Sequence, residues 1–545
     1  IKTLPKLSTE QDIAYKEIKS AYEKQDVVLF HGITGSGKTE VYIQLIQEAI
    51  DEGRQVLYLL PEIALTTQII TRLQKVFGDA VGVYHSKFNL NERVEIWNEL
   101  LKPNSKFKIV LGARSCMFLP FSNLGLVIVD EEHENTFKQF DPAPRYHGRD
   151  MAILLAKMHK SKVLLGSATP SVESYFNAKS GKYGFVELNT RYGGIQLPEV
   201  QCGDLKEEKK KKKMVSLFTE ILKNNIDEAL ERGEQIILFQ NRRGFAPMLE
   251  CFTCGHIQQC KRCDVSLTYH KYTNLLRCHY CGYIEKVEVT CTACGSVETD
   301  MRGFGTEKIE EEVKKVFPSA KVSRMDLDTT RGKHAYQNLI TQFEDKEVDI
   351  LVGTQMVTKG LDFDNVSLVG VLNADQMLYY PDFRAFERAY QLMAQVSGRA
   401  GRKVKRGKVI IQSHNPHHTT IRDVMDNDYL NMYNTEILNR RNFGYPPFFR
   451  LISLTFRYKD RTVLDACCDG FAINLKREIG EERILGPEYP GIARINNLYN
   501  KKILIKVEKE ISIKNIKKVV QNWMNIYKKD ASFKYVRVIV DVDPQ

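Results

Sequence analysis

The chain has 545 residues, more than a single hydrophobic core organises, so two to four domains are expected. Hydrophobic residues at 43% and charged residues at 27% give an ordinary soluble globular composition, with no signal peptide and no apolar run near the roughly 20 residues a membrane span requires. Lys and Arg number 79 against 68 Asp and Glu, a net charge of +11 that favours a polyanionic partner through counterion release. The first residue is Ile1 rather than Met, and a fragment without its natural N-terminus is expected. Clustering of the cysteines fits a reducing compartment, so a cytoplasmic location is expected.

In chain order, the apolar runs VVLF (27–30), QVLYLL (55–60), KIVLG (108–112), LGLVIVDEEH (124–133) and KVLLGSATP (162–170) alternate with helical patterns. That spacing predicts βα units around a parallel sheet and a first lobe over 1–203. The run DLKEEKKKKKM (204–214) reads as a solvated charged linker, placed at 204–213. The rhythm resumes with QIILFQN (235–241), VDILVGTQ (348–355), VSLVGVLNAD (366–375) and GKVIIQS (407–413), predicting a second α/β lobe over 214–430 interrupted by a cysteine-rich insert at 250–300. A smaller α+β domain is expected over 431–545. No repeat at solenoid periods is visible.

Within the first lobe, Gly32-Ile33-Thr34-Gly35-Ser36-Gly37-Lys38-Thr39 fits G-x-x-x-x-G-K-[ST] between a strand and a helix. Glycines let backbone N–H groups curl around phosphate oxygens, and the helix N-terminus adds partial positive charge. Lys38 would reach the β and γ phosphates, and the Thr39 hydroxyl would bind Mg²⁺. Asp130, at the end of VIVDEEH, is placed to hold Mg²⁺ through water, and Glu131 to orient and deprotonate the attacking water. In QVSGRAGR (395–402), Arg399 and Arg402 are three apart and can share one face, as arginine fingers across a cleft from Lys38. Each signal has a bland counterpart: a chance glycine loop, a solvated acidic loop, two surface arginines.

Directly after the acids, DEEHENTFKQFDPAPRYHGRD (130–150) interleaves Phe137, Phe140 and Tyr146 with Lys138 and Arg145. Aromatic faces stack on unpaired bases while cations hold phosphates, so this segment is a candidate for coupling DNA occupancy to Glu131. The alternative is aromatics that only pack the lobe.

Eight of the twelve cysteines form four CxxC pairs. One pair could be a redox couple, but four in a short segment point to metal, as two Cys₄ zinc sites. Fourteen residues separate Cys260/Cys263 from Cys278/Cys281, close to ribbon geometry, which leaves Cys251/Cys254 to close with Cys291/Cys294 outside them. Cys116, Cys202, Cys467 and Cys468 remain as ordinary thiols. A Cys₄ site leaves no open coordination position, so the insert is expected to be a metal-stapled projection rather than a catalytic centre. Such a projection would split a duplex or guide a displaced strand, and offer a docking surface. In RNFGYPPFFR, Tyr445, Phe448 and Phe449 beside Arg450 could stack on bases but are favoured as domain-junction packing; Lys501 and Lys502 read as surface charges with modest DNA attraction.

The order LSTEQ (7–11), GITGSGKTE, LLPEIALTTQ (59–68), GARS (112–115), DEEH, GSATPS (166–171), NRRGF (241–245), VGTQMVTKGLDF (352–363) and QVSGRAGR resembles superfamily 2 helicases. The DEEH box, the eight-cysteine insert after NRRGF, and GYPPF (444–448) resemble one family among them, the bacterial replication-restart helicases of the PriA (primosomal protein N′) type, from about residue 4 to the end. The resemblance implies two RecA-like lobes with a zinc-binding insert in the second and a small C-terminal domain, and the nested zinc pairing. It implies nucleotide contacts from Gln11, Gly360 and Asp362, a phosphate-backbone contact from Thr354, and polar contacts from Ser167 and Thr169 that link hydrolysis to lobe movement.

It further implies a DNA-stimulated ATP hydrolase and 3′→5′ helicase that opens arrested forks and helps assemble the primosome. Its cofactors would be ATP, Mg²⁺ and two Zn²⁺, and its partners single-stranded and forked DNA, single-strand-binding protein and other primosome proteins, with a monomer expected. The family's 3′-end-binding and winged-helix domains are expected to have no counterpart in the residues given. Two alternatives stand beside this: a translocase on duplex DNA without strand separation, and a DNA-binding scaffold with an inactive nucleotide site. The joint presence of Lys38, Thr39, Asp130, Glu131, Arg399 and Arg402 argues against the scaffold.

Overall fold

A computed structural model describes residues 4–545 except 62–66, 86–88, 195, 242–248, 252, 255, 264, 271–272, 298, 302–305, 327–328, 330–334, 359–362, 364 and 402–405, and without the side chains of 67, 250, 299–301, 306 and 307. The five apolar runs of the first lobe become strands β1 (Val27–Gly32), β2 (Gln55–Leu59), β4 (Ile109–Gly112), β5 (Leu124–Asp130) and β6 (Lys162–Ser167), and two strands outside those runs, β3 (Val81–Tyr84) and β7 (Gly184–Leu188), join them. They form one parallel sheet in the order β3-β4-β2-β5-β6-β1-β7. Helices cover both faces, which is why these strands read as continuous rather than alternating apolar runs. The order makes β5, β6 and β1 adjacent, so the chain segments leaving their carboxyl ends gather on one rim.

A second parallel sheet follows, built from β8 (Glu199–Asp204), β9 (Gln235–Phe239), β15 (Val322–Met325), β16 (Ile350–Gly353), β17 (Val366–Val371) and β18 (Lys408–Ser413) in the order β15-β16-β9-β17-β18-β8. The numbers β10 to β14 belong to the cysteine insert: β10 (Leu249–Cys251) pairs with β14 (Thr299–Met301), and β11 (Thr268–His270), β12 (Leu275–Arg277) and β13 (Ile284–Lys286) form an antiparallel meander inside.

The expected linker at 204–213 is not a linker. Residues 199–204 are an edge strand of the second sheet, with Ser413 opposite Asp204. Asp204 then caps the helix Leu205–Lys210, accepting from the Lys206 and Glu207 amides at 2.9 Å each. The charged run is the solvated face of that short helix, seated by the buried Leu205. The chain crosses between sheets earlier, over 189–198.

Helices Thr419–Asp426 and Tyr429–Asn442 lead into the last domain. There β19 (Phe449–Tyr458) lies between β22 (Leu498–Glu508) and β23 (Arg537–Val542), with β20 (Ile484–Glu488) and β21 (Arg494–Ile495) paired to β22, all antiparallel. Helices Arg461–Ile479 and Ile513–Lys529 bury the apolar face of this sheet. No helix among the described residues is long and apolar enough to cross a membrane.

Candidate active site and zinc centres

The loop after β1 turns at Gly35 and Gly37, each at φ 80°, a left-handed conformation that favours glycine. The helix Lys38–Asp51 starts immediately after, aiming its free amides at the loop. Lys38 Nζ donates to Gly32 O at 2.7 Å, folded over the glycine loop. Gln11, fixed by a capping box with Ser8, donates to Ser36 O at 3.0 Å and Gly37 O at 3.3 Å, so it braces the loop from beneath.

Asp130 ends β5, its carboxylate accepting from Tyr42 Oη at 3.0 Å, Tyr58 Oη at 3.3 Å and the Glu131 amide at 3.1 Å. Burial, then the neighbouring Glu131 charge, raises its carboxyl to about 6, against the pull of Lys38. Glu131 adopts φ 50°, and its Oε2 lies 3.7 Å from His133 Nδ1. His133 Nδ1 is also 2.7 Å from Ser167 Oγ at the end of β6, and its Nε2 is 2.8 Å from Gln395 Nε2 of the helix Ala385–Ser397. One imidazole therefore bonds the GSATPS strand and a helix of the second lobe, and lies at ion-pair rather than hydrogen-bond distance from the candidate water-activating carboxylate. Sequence reasoning named Glu131 and Ser167 but not His133 or Gln395.

The same helix continues the contact along its length. Gln391 donates to Thr169 O and Pro170 O at 3.3 Å each, and Glu387 accepts from the Val172 amide at 2.8 Å. At its end, Gly398 lies against Thr34 so closely that an added Cβ would come within 2.9 Å of the threonine Cβ. Arg399 follows and is 9% exposed. Arg402, Gly360 and Asp362 lie outside the described residues; Thr354 follows β16, half-buried, at its carboxyl end.

Arg191, also missed in the sequence, bridges the two lobes: its Nε donates to Thr34 O at 3.0 Å and its guanidinium to Gly401 O at 3.3 Å. Its signal was a basic residue in NTRYGG just past the last strand of the first sheet, where the true crossing starts. Glu132, between the catalytic candidates and His133, is fully buried. It accepts from the Ser171 amide at 2.6 Å, Ser174 Oγ at 2.7 Å and Arg149 at 2.9 Å, which makes it structural.

The 130–150 segment corrects two expected DNA contacts. Phe137 and Lys138 are each 1% exposed. Phe137 belongs to the core of the first lobe, and Lys138 is ion-paired to Asp541 at 2.7 Å, so neither is available to a base or a phosphate. The segment forms a narrow ribbon, bridged at Lys138 and His147, with the Gln139 amide donating to Tyr146 O at 2.9 Å. Phe140, at 52% exposed, stands at its tip; Tyr146 packs edge-on against Phe118 at 5.1 Å; Arg145 is half-buried, 3.7 Å from Asp141.

Both cysteine quartets assemble in the nested pairing: Cys251, Cys254, Cys291 and Cys294 in one, Cys260, Cys263, Cys278 and Cys281 in the other, each with its Sγ atoms within 4.8 Å of one another. Measured Sγ separations of 3.6 Å (Cys251–Cys294, Cys254–Cys291) and 3.7 Å (Cys260–Cys281) match the edge of about 3.8 Å of a tetrahedron built on Zn–S bonds of about 2.3 Å. The four thiolates fit zinc, which when bound supplies folding energy to an insert too small for its own core. These are two zinc-binding sites.

The insert is docked rather than free-standing. Tyr445 Oη donates to Cys263 O at 2.8 Å, and the Tyr445 ring stacks on Phe383 at 4.2 Å. His279 Nδ1 is 2.5 Å from Tyr489 O, and Arg277 pairs with Glu488 at 2.5 Å. The aromatic GYPPF motif thus packs a junction: Phe448 contacts Phe176 at 5.4 Å. Lys501, expected as a surface charge, is buried between Asp465 at 2.7 Å and Asp469 at 2.8 Å; Lys502 is exposed.

Comparison with known proteins covers every part of this arrangement. Family models match over residues 10–177 (DEAD/DEAH box helicase), 284–404 (Helicase conserved C-terminal domain), 260–286 (PriA DNA helicase Cys-rich region domain) and 441–545 (Primosomal protein N C-terminal domain). Replication restart protein PriA of Bacillus subtilis is 41% identical over 99% of this chain and 66% of its own length. That of Chlamydia pneumoniae is 42% identical over 83% of this chain and 61% of its own, and that of Chlamydia trachomatis 39% identical over 99% and 71%. The chain therefore spans less than two thirds of the length of the first two relatives. With two parallel-sheet lobes, paired Cys₄ centres and the matching C-terminal domain all in place, the chain belongs to the PriA family of replication restart proteins.

Proposed function

We propose that the chain is a DNA-stimulated, ATP-dependent DNA helicase that moves 3′→5′, opens DNA at arrested replication forks and helps assemble the primosome in the cytoplasm. The observation that carries this is the position of His133, which touches Glu131, Ser167 and Gln395 and so makes hydrolysis geometry depend on the seating of the second lobe. Lys38 holds the β and γ phosphates, the amides of 35–39 cradle them, and Gln11 keeps that loop in shape. Thr39, and Asp130 through water, would hold Mg²⁺, which when bound would supply positive charge to the phosphates. Glu131 takes the proton of the attacking water. Arg399 and Arg402 stabilise charge on the transferring phosphoryl. Each cycle of binding and release opens and closes the seam between Thr34 and Gly398, which supplies the stroke.

The relatives' name supports the replication-restart setting; single-stranded and forked DNA are the substrates this reading proposes, and single-strand-binding protein and other primosome proteins the partners. The chain is proposed to act as a monomer. ATPase rates against single-stranded, duplex and forked DNA at fixed salt test this, together with strand displacement from substrates with a 3′ or 5′ single-stranded loading arm. Stimulation by single strands, displacement from the 3′ arm alone, and loss of both in Lys38→Ala are expected. Translocation with no displaced strand would favour the duplex translocase, and full fork restart by Lys38→Ala would favour the scaffold.

A further inference from the structure

Lys138 is anchored by residues some four hundred positions away. Its ammonium lies 2.7 Å from Asp541 Oδ1 and donates to Val542 O at 2.7 Å and Arg145 O at 3.0 Å. Asp541 and Val542 end β23 of the C-terminal domain. Two residues further, Pro544 O accepts from Arg384 at 3.2 Å, just before the helix that carries Gln391 and Gln395. Gln545 then lines a cavity of about 210 Å³ together with His133, Phe140, Gln391 and Gln395. One extended strand end therefore touches the ribbon stem, the start of the helix Ala385–Ser397 and the cavity beside His133.

The path from Lys138 back to Glu131 is short and stiff. The Glu134 amide donates to Glu131 O at 2.9 Å, Phe137 to Glu134 O at 3.1 Å and Lys138 to Asn135 O at 3.0 Å, one tight turn after another. Arg114 secures the stem backbone from the first lobe, donating to Thr136 O at 2.6 Å and Lys138 O at 3.3 Å. The lysine side chain is the second anchor, and Asp541 is the counter-ion that makes its burial tolerable. Beyond these anchors the tip at 141–144 is exposed.

We propose that Asp541 is a positioning residue for the polynucleotide response. By holding Lys138 it fixes the stem of the 138–147 ribbon relative to Glu131 and His133, so the C-terminal domain sets how strongly a strand at the ribbon tip accelerates hydrolysis. This rests on the reading of the chain as a DNA-stimulated ATPase. The alternative is plain domain packing, in which loss of the ion pair would lower basal and stimulated turnover together.

The test uses the whole chain with Asp541→Asn, which keeps shape and removes charge. Saturating single-stranded DNA is expected to stimulate the variant five- to tenfold less, with basal turnover and the KM for ATP within twofold of the parent. Amide hydrogen exchange over 134–147 should accelerate at least tenfold, and Asp541→Glu should restore half or more of the lost stimulation. Unchanged stimulation with unchanged exchange overturns the proposal, and so does a parallel fall of basal and stimulated turnover. A parent chain whose hydrolysis ignores DNA sinks the functional reading instead, while exchange over the ribbon still reports whether Asp541 anchors it.

Discussion

Among the described residues His133 has polar neighbours from three chain segments, and removing the one from the second lobe isolates the seam without touching the glycine loop. Gln395→Ala deletes the 2.8 Å contact and leaves His133 with Glu131 and Ser167. A buried hydrogen bond lost from one side costs about 1–3 kcal/mol. If that contact forms as the lobes close, stimulated kcat falls roughly tenfold or more while the KM for ATP moves less than about threefold. Equal loss in both constants would show that Gln395 serves nucleotide binding rather than closure. The positions of Lys38, Asp130 and Glu131 at one rim of the first sheet were legible from short motifs, because a glycine turn before a helix and acids at a strand end are specified by neighbours in sequence. Lys138 was not: a cation between aromatics reads alike whether it faces a phosphate or a buried carboxylate, and here the carboxylate stands at 541.

Elements show the same division. The strands legible in the sequence, β1, β2, β4 to β6, β9 and β16 to β18, were so because burial on both faces makes continuous apolar runs, as in β2 and β9, all of whose residues are buried; the edge strands β3, β7, β8 and β15 carried no such run. The lysine run misled because a short helix with Lys211 paired to Glu207 one turn earlier has the composition of a linker. The helix Tyr429–Asn442 carried no signal of its role, yet its Arg440 is the buried hub of the molecule, bonded to Glu387 of the second lobe at 2.6 Å and Glu173 of the first at 3.0 Å, with Glu436 at 3.7 Å. Arg384 joins Glu173 at 3.0 Å. The two guanidinium groups hold the Glu173 carboxyl well below the usual range despite burial. Arg440→Met strands these acids in a dry junction, where breaking a buried pair costs about 3–5 kcal/mol. The expected outcome is a lower thermal transition and separate unfolding of the C-terminal domain in calorimetry; a single transition at the parental temperature would show that packing, not charge, holds the junction.

At the scale of the whole molecule, the two zinc centres sit in different mechanical positions. The quartet of Cys260, Cys263, Cys278 and Cys281 is sandwiched: Tyr445 bonds the Cys263 carbonyl, and His279, next to Cys278, bonds Tyr489. Its thiols share a hydrophobic cluster with Phe383 of the second lobe and Leu451 of β19. The outer quartet includes the exposed Cys294 and closes the two-stranded base of the insert, where β10 meets β14. Losing the inner metal should therefore unseat the C-terminal domain, and with it the anchor on Lys138. Losing the outer metal should disturb only the part of the insert proposed to meet a duplex. Cys294→Ser is expected to reduce strand displacement at least fivefold with ATP hydrolysis on single-stranded DNA within about twofold. Cys278→Ser should lower both and lower the thermal transition. Zinc content measured on each purified variant, one equivalent against two in the parent, keeps the comparison tied to the intended site. If Cys294→Ser stops hydrolysis on single strands as completely as strand displacement, the insert serves hydrolysis itself and its proposed role in splitting a duplex is wrong.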